Sequence, residues 1–386
     1  MSDLRRAVHL STTARVCRVV AATGLVAALA GACSTGSQAP TTTVPSGSGV
    51  ASSASTGGSS AATSTAAPLS PTPSGSTSAA TSATPSPSPS TTAAPAADPA
   101  SIQALIDHAY DGRNLKLGAE RGSTSAYRQY YATYQGDGLT ISGRINIPRG
   151  DGPFPAVVLA HGYVPPAEYT NGETMLRERD YLARQGYVTL HIDYRNHAQS
   201  SKDPGNDANL RNGYTIDAIN AALALKAHPA VDPERVALIG RSMGGGVVYN
   251  AIVAQPGVFQ AAVAYAPVSS DSVDNFNKWV RRDPSRSGAA SKVIDRLGTP
   301  EAQPARWAAT SARTYFDRIT EPLMIHHGTI DEDCPLSWSR ESVAALQAKG
   351  KEVDFRIYQG GRHTLTSPQW DTSIRRTEAF LEKHLS

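Results

Sequence analysis

From about residue 98 onward the apolar positions fall into short runs separated by segments of helical period. Residues 127–134 lead into Gly136-Asp137-Gly138, and residues 139–147 alternate apolar with polar up to Pro148. An Asp-Gly pair between alternating segments predicts a hairpin. Six further short runs, at 154–160, 188–192, 235–239, 261–265, 323–327 and 353–358, are rich in apolar residues, those at 154–160, 235–239 and 261–265 nearly continuously so. Such runs suit strands buried on both faces, as in parallel sheets. Between them lie an amphipathic stretch at 173–185 that stops at Gly186, an Ala-rich stretch at 216–226, and helical patterns at 247–254 and 371–384. Asp98-Pro99 reads as an N-cap followed by proline, with Ile102, Leu105 and Ile106 at helical spacing behind it. The pattern predicts an α/β domain: a mostly parallel sheet of about eight strands with helices on both faces.

Residues 270–318 break this rhythm. They are rich in charge and carry Trp279, Trp307, Tyr315 and Phe316 between two strands. An insertion there lies past the C-terminal strand ends, where ligand sites of α/β sheets form, so a small helical cap is expected.

Composition divides the rest of the chain. Residues 34–97 are almost entirely Ser, Thr, Ala, Pro and Gly, with no charged or aromatic side chain. They cannot bury a core, and a disordered linker over 33–97 is expected. Residues 1–32 have the build of a secretory signal: Arg5, Arg6, Arg15 and Arg18 precede a short run of small apolar residues at 19–32. Leu29-Ala30-Gly31-Ala32-Cys33 resembles a bacterial lipobox, although Ala30 stands where leucine is usual. That resemblance implies lipidation of Cys33 and anchoring to the outer face of the cell membrane. Cleavage without lipidation, giving a freely secreted protein, is the alternative. The four arginines, against Asp3, account for the whole net charge of +3. The remaining chain is balanced, which gives no argument for nucleic acid. Of three cysteines, Cys17 lies in the signal, Cys33 is the candidate anchor and Cys334 stands alone, so no disulfide framework is expected.

The chemistry centres on Gly240-Arg241-Ser242-Met243-Gly244, followed by Gly245 and Gly246. A G-x-S-x-G between an apolar strand and a helix is the context of a nucleophile elbow, whose tight turn lifts a serine hydroxyl clear of the sheet. Serine attacks only when a base takes its proton and an acid orients the base. Two loops downstream offer these groups. The strand at 323–327 runs into a loop carrying Asp331, Glu332 and Asp333, and the strand at 353–358 runs through Gly360-Gly361 to His363. His384 sits at a helix end, where favourable placement against the dipole explains it. His326 and His327, at a strand end, are expected to serve structure. An oxyanion hole would use the Met243 N–H and, from the loop Ala160-His161-Gly162-Tyr163, the Tyr163 N–H. Losing one such donor costs about 10²–10³ in rate in a known case.

From about Tyr127 to its end the chain resembles the catalytic domain of the prolyl oligopeptidase family and its α/β-hydrolase relatives. The segments that carry the resemblance are GDGLTISGRINIP, AHGY, HIDYRNHAQSS, GRSMGGG, YFDRITEPLMIHHGTIDEDCP and YQGGRH. It implies the α/β-hydrolase fold, with Ser242 as nucleophile, His363 as base and Asp331, in the H-G-T-x-D pattern, as the acid. AHGY also resembles bacterial acetyl-ester hydrolases, in which the backbone N–H at the tyrosine position helps bind the oxyanion. Peptidases of the family usually carry an N-terminal β-propeller that gates peptide entry and holds the acidic pair for a peptide N-terminus. Here the Ser/Thr/Pro-rich tether stands in that place, which favours small or exposed esters. The expectation is a cell-envelope serine hydrolase, needing no cofactor or metal, that cleaves an ester or amide bond. The alternatives are a carboxylesterase of small or polysaccharide-linked esters and a catalytically silent surface binding module. Nothing in the residues sets the oligomeric state.

Overall fold

The computed structural model describes residues 96–386. The signal-like segment 1–32, Cys33 and nearly all of the linker lie outside the described residues. The strands are β1 (Arg113–Ser123), β2 (Tyr127–Gly136), β3 (Leu139–Pro148), β4 (Phe154–Ala160), β5 (Val188–Ile192), β6 (Val231–Arg241), β7 (Ala261–Tyr265), β8 (Leu323–Gly328) and β9 (Val353–Tyr358). The helices are α1 (Ile102–Ile106), α2 (Leu176–Arg184), α3 (Asn212–Lys226), α4 (Met243–Ala254), α5 (Ser272–Phe276), α6 (Ser287–Leu297), α7 (Pro304–Ala309), α8 (Leu336–Ala348) and α9 (Gln369–His384).

All nine strands form one sheet in the order β1-β2-β3-β5-β4-β6-β7-β8-β9. The sheet thus has one strand more than expected. The pairs from β5 to β9 are parallel, and β1, β2 and β3 extend the sheet antiparallel. The continuous apolar runs have the expected cause. Val158, Leu238 and Ile325 point into one buried cluster with Ile219 of α3 and Ile252 of α4. Val157, Leu159, Ile239 and Val263 point the other way, against Leu182 of α2 and Phe380 of α9. Successive strand residues face opposite layers, so both parities must be apolar.

Two local expectations are corrected. Asp98 does not cap α1. It closes a turn by accepting from Ala100 N–H (2.9 Å), and Ser101 is the N-cap, accepting from Ala104 N–H (3.1 Å). The strand β1, unanticipated, follows from residue 113 and is exposed along almost its whole length.

The segment between β7 and β8 is helical: α5 continues into a π turn (Asn277–Arg281) and a 3-10 turn (Pro284–Arg286), followed by α6 and α7. Phe276, Ala290, Val293, Leu297 and Trp307 form its own small core, which also takes in Ala100. The last turn, Ala312–Arg318, belongs instead to the main core through Phe316.

Candidate active site

The register of β6 places Gly240 beside Ala160 on β4 and Ala264 on β7, at the C-terminal edge of the sheet. The chain must turn there at once from strand to helix. Ser242 takes φ 58° and ψ −118°, a region costly for any side-chain-bearing residue. The turn is held by Ser242 N–H donating to Tyr265 O (2.9 Å), while Ser242 O accepts from Gly245 N–H (2.9 Å) and Val268 N–H (3.1 Å). The glycines are required by close approach. A Cβ on Gly244 would overlap the Ala160 carbonyl, and one on Gly240 would overlap the Gly244 carbonyl.

The loop after β4 lies against this turn. A Cβ added to Gly162 would sit 3.2 Å from Ser242 Cβ and 3.7 Å from its Oγ. His161 beneath it is fully buried, with its Nδ1 2.6 Å from Gly162 O and its ring stacked on Tyr169 at 4.7 Å. Burial pushes its pKa down to about 3, so it stays neutral. The loop after β5 braces the same backbone: Tyr194 donates its hydroxyl to His161 O (3.3 Å), and His197 Nε2 lies 3.2 Å from Val164 O. Arg195, buried between Asp217 (2.9 Å) and Asp203 (3.0 Å), fixes that second loop. The motif HIDYRNHAQSS therefore supports the loop that carries Tyr163, a role its residue types did not announce.

The other two loops meet beyond β8 and β9. Ile330 N–H donates to Gly361 O (3.0 Å) and Thr329 N–H to Tyr358 O (3.0 Å), which ties them together. His363 Nδ1 lies 3.0 Å from both carboxylate oxygens of Asp331. With Nδ1–H donating there, Nε2 is left as the free acceptor. Asp331 has no exposed side-chain surface. Burial alone would raise its pKa. Hydrogen bonds from His327, His363 and the Cys334 N–H overcome this and hold it well below the usual carboxylate range. Of the neighbouring acids, Glu332 accepts from the His363 N–H (3.2 Å) and Arg362 (3.2 Å), while Asp333 stands half-exposed, 3.9 Å from His363 Nε2.

His327 has more than a packing role: its Nε2 lies 3.2 Å from Asp331 Oδ2 and 2.9 Å from Cys334 O, and its Nδ1 2.7 Å from Ser339 Oγ. It is thus a second partner of the acid, a contact made because the chain turns back after β8, which the strand period does not signal. His326 is buried between Tyr358 OH (2.7 Å) and Thr377 Oγ1 (3.0 Å). His384 packs on Phe380 at the far end of α9. Cys334 is a free, buried thiol beside Ser242 and Asp331, and burial followed by the Asp331 charge pushes it far up, so it remains protonated.

Ser242, Met243, Tyr163 and His363 open onto one cavity of ≈ 610 Å³, roofed by Phe276, Trp279 and other cap residues. Among the described residues no hydrogen bond joins Ser242 Oγ to His363; such contacts commonly tighten only around bound substrate. Among the described residues no group of three His, Cys, Asp or Glu side chains is placed to hold a metal ion.

The sequence profile of the Prolyl oligopeptidase family matches residues 174–386, over half of the chain. The chain belongs to the prolyl oligopeptidase family. Among its relatives is the Bacillus subtilis protein "Uncharacterized peptidase YuxL", 28% identical over 66% of this chain and 38% of the relative. "Esterase FrsA" of Shigella boydii is 30% identical over 73% of this chain and 64% of the relative. The chain thus spans less than two thirds of either protein. The acetyl xylan esterase of Paenibacillus sp. R4 superposes with a TM-score of 0.56 at 19% identity, covering 73% of this chain and 92% of that one. That likeness gives the α/β-hydrolase fold. In a member of this family, the two loops that carry Asp331 and His363 and the turn at Ser242 fall within the matched residues.

Proposed function

We propose that this chain is a serine hydrolase that cleaves ester or amide bonds through an acyl-enzyme. The observation that carries the proposal is one cavity shared by Ser242, on its positive-φ turn, and His363, whose Nδ1 is held by buried Asp331. Ser242 Oγ attacks the carbonyl carbon while His363 Nε2 takes the hydroxyl proton. The carbonyl electrons move onto oxygen, where the N–H groups of Met243 and Tyr163 receive the charge. Collapse expels the leaving group, protonated by His363. Water, deprotonated by the same nitrogen, then releases the acyl group and restores Ser242. Asp331 keeps Nδ1 protonated and steadies the cation formed in each half-reaction.

Within this chemistry the carboxylesterase reading is favoured over aminopeptidase by the cavity itself. Its lining carboxylates are Asp207 and Asp333, and Asp207 is already paired with Arg211 at 2.8 Å. No pair of free acids among the described lining residues awaits a substrate ammonium group. The proposed location is the cell envelope, on a tether anchored at Cys33. Turnover of p-nitrophenyl acetate beside aminoacyl and dipeptidyl anilides tests the substrate reading. Fluorophosphonate labelling that is absent in Ser242→Ala tests the nucleophile; label retained in that variant would refute it.

A further inference from the structure

Tyr163 is an exposed aromatic at the cavity mouth, 39% accessible, next to the turn that holds Ser242. Two guanidinium groups lie over its ring. Arg211 Cζ is 4.6 Å from the ring centroid and Arg286 Cζ is 4.9 Å. They arrive from separate parts of the fold: Arg211 from the residue before α3, in a left-handed backbone conformation at φ 64°, and Arg286 from the short turn before α6 in the cap. Both line the cavity, as does Arg241.

Like charges brought to one ring repel, and an exposed cation–π contact contributes only about 0.5–1 kcal/mol. The protein's own carboxylates offset these cations weakly. Arg211 Nε is paired with Asp207, which is 70% exposed and well screened, and Arg286 Nε lies 3.4 Å from half-exposed Asp283. Each guanidinium carries five N–H donors in a planar fork. Arg211 Nη1 also donates to Met243 Sδ (3.8 Å); among the described residues the Nη2 of Arg211 and the donors of Arg286 beyond Nε have no hydrogen-bond partner. In the roof of the cavity Trp279 Nε1–H, a donor only, is buried without a partner among the described residues. The lining thus holds guanidinium and indole donors, with half-exposed Asp333 as its one other carboxylate besides Asp207.

We infer that Arg211 and Arg286, converging on Tyr163, form a subsite for a carboxylate group carried by the substrate. This rests on the reading of Ser242 as the reacting centre and specifies the substrate class: an ester or amide of which one half bears a carboxylate. A planar carboxylate matches the guanidinium fork as no neutral group does. Arg211 and Arg286 are specificity-determining residues in this scheme, and they act on binding rather than on proton transfer.

Titration calorimetry of the Ser242→Ala protein tests this without turnover, with monomethyl glutarate as the anionic probe and dimethyl glutarate as its neutral counterpart. The expected result is binding of the anion at least about tenfold tighter, a preference that weakens with added salt. Arg286→Gln and Arg211→Gln, each placed on the Ser242→Ala background, should each reduce that preference to about threefold or less. Arg286→Lys, which keeps the charge and loses the fork, should fall between. Equal affinity for the two probes would overturn the proposal. So would an unchanged preference with a lowered melting temperature in both Gln variants, which would make the arginines packing for Tyr163 only. A parallel assay of the unsubstituted chain on p-nitrophenyl acetate keeps the two readings apart. No turnover there or of the anilides, together with no fluorophosphonate labelling, sinks the hydrolase reading while the binding preference still decides the subsite.

Discussion

Replacing Asp331 by Asn changes one atom and keeps the volume. In the structure the carboxylate receives His363 Nδ1 (3.0 Å), the Asp333 N–H (2.9 Å), the Cys334 N–H (2.8 Å) and the contact with His327 Nε2 (3.2 Å). Every neighbour is a donor. An amide brings one acceptor oxygen and two N–H donors, so whichever way it turns, an NH₂ faces a donor. The Oδ1 side has the two backbone N–H groups and holds the amide oxygen. The NH₂ then falls toward His363 and His327, and the proton on His363 shifts from Nδ1 to Nε2. The base then presents a hydrogen where it should present a lone pair. Loss of the orienting carboxylate costs about 10⁴ in kcat in a serine protease, and a similar loss is expected here. The lost charge-assisted bonds should also cost roughly 1.5–3 kcal/mol of stability. Because folding lowers the Asp331 pKa, its contribution is present above the unfolded value of about 3.9 and is lost as pH falls toward the folded value. The stability gap between the two proteins should thus be flat near neutrality and narrow in acid. Initial rates on p-nitrophenyl acetate with thermal melts from pH 3 to 8 measure both quantities. Activity within tenfold of the parent, or a gap that widens in acid, would refute the reasoning. Asp333→Asn, at a half-exposed site, should cost far less in rate.

Ser242→Ala should lower turnover by about 10⁶, as loss of the nucleophile does in another serine hydrolase. Ser242→Gly, equally inactive, should melt above Ser242→Ala, because glycine accepts a positive φ without a Cβ penalty; scanning calorimetry of the pair decides it. Gly244→Ala should fail to give soluble folded protein or melt far lower, since its Cβ overlaps the Ala160 carbonyl, and wild-type-like melting would contradict that packing. A chain starting at Asp98 should be as active as one starting at residue 34, whereas a start at Ile102 should lower the melting temperature by removing the Asp98–Arg296 pair (2.8 Å) and buried Ala100.

The strands are legible in the sequence wherever both faces are buried, since a strand between two helical layers is largely apolar on both parities. The strand β1 escaped for the opposite reason. Arg113–Ser123 has only Leu115, Leu117 and Ala119 as apolar residues, on one parity, is exposed almost throughout and lies at the sheet edge, held mainly by backbone pairing with β2. Helix α3 begins at Asn212 rather than near Ile216 because its first turn is buried yet held by polar contacts, with Asn212 Nδ2 donating to Pro99 O and Ser101 O and Gly213 N–H to Asn206 Oδ1. Asp331 and His363 could be picked out because each follows a strand. Their mutual contact, the bracing by His327 and the arrival of Arg286 over Tyr163 depend on which loops meet, and local period carries no record of that.

The small core of the cap has one member from outside it. Ala100 packs there, Asp98 is paired with Arg296 of α6, and Asn212 Nδ2 donates to Pro99 O (3.0 Å). The segment by which the polypeptide enters the domain is therefore fastened to the roof of the cavity and to the start of α3, not to the sheet. A load applied to residues 98–101 would act first on α6, which carries Val293 into the cavity lining, and on the helix start next to Arg211. One residue further on, Ile102 of α1 is already buried in the main core with α4, the helix that follows Ser242. In mechanical terms the entry segment is a handle on the lid, and a pull on it would act on the entrance before it reached the main core through α1.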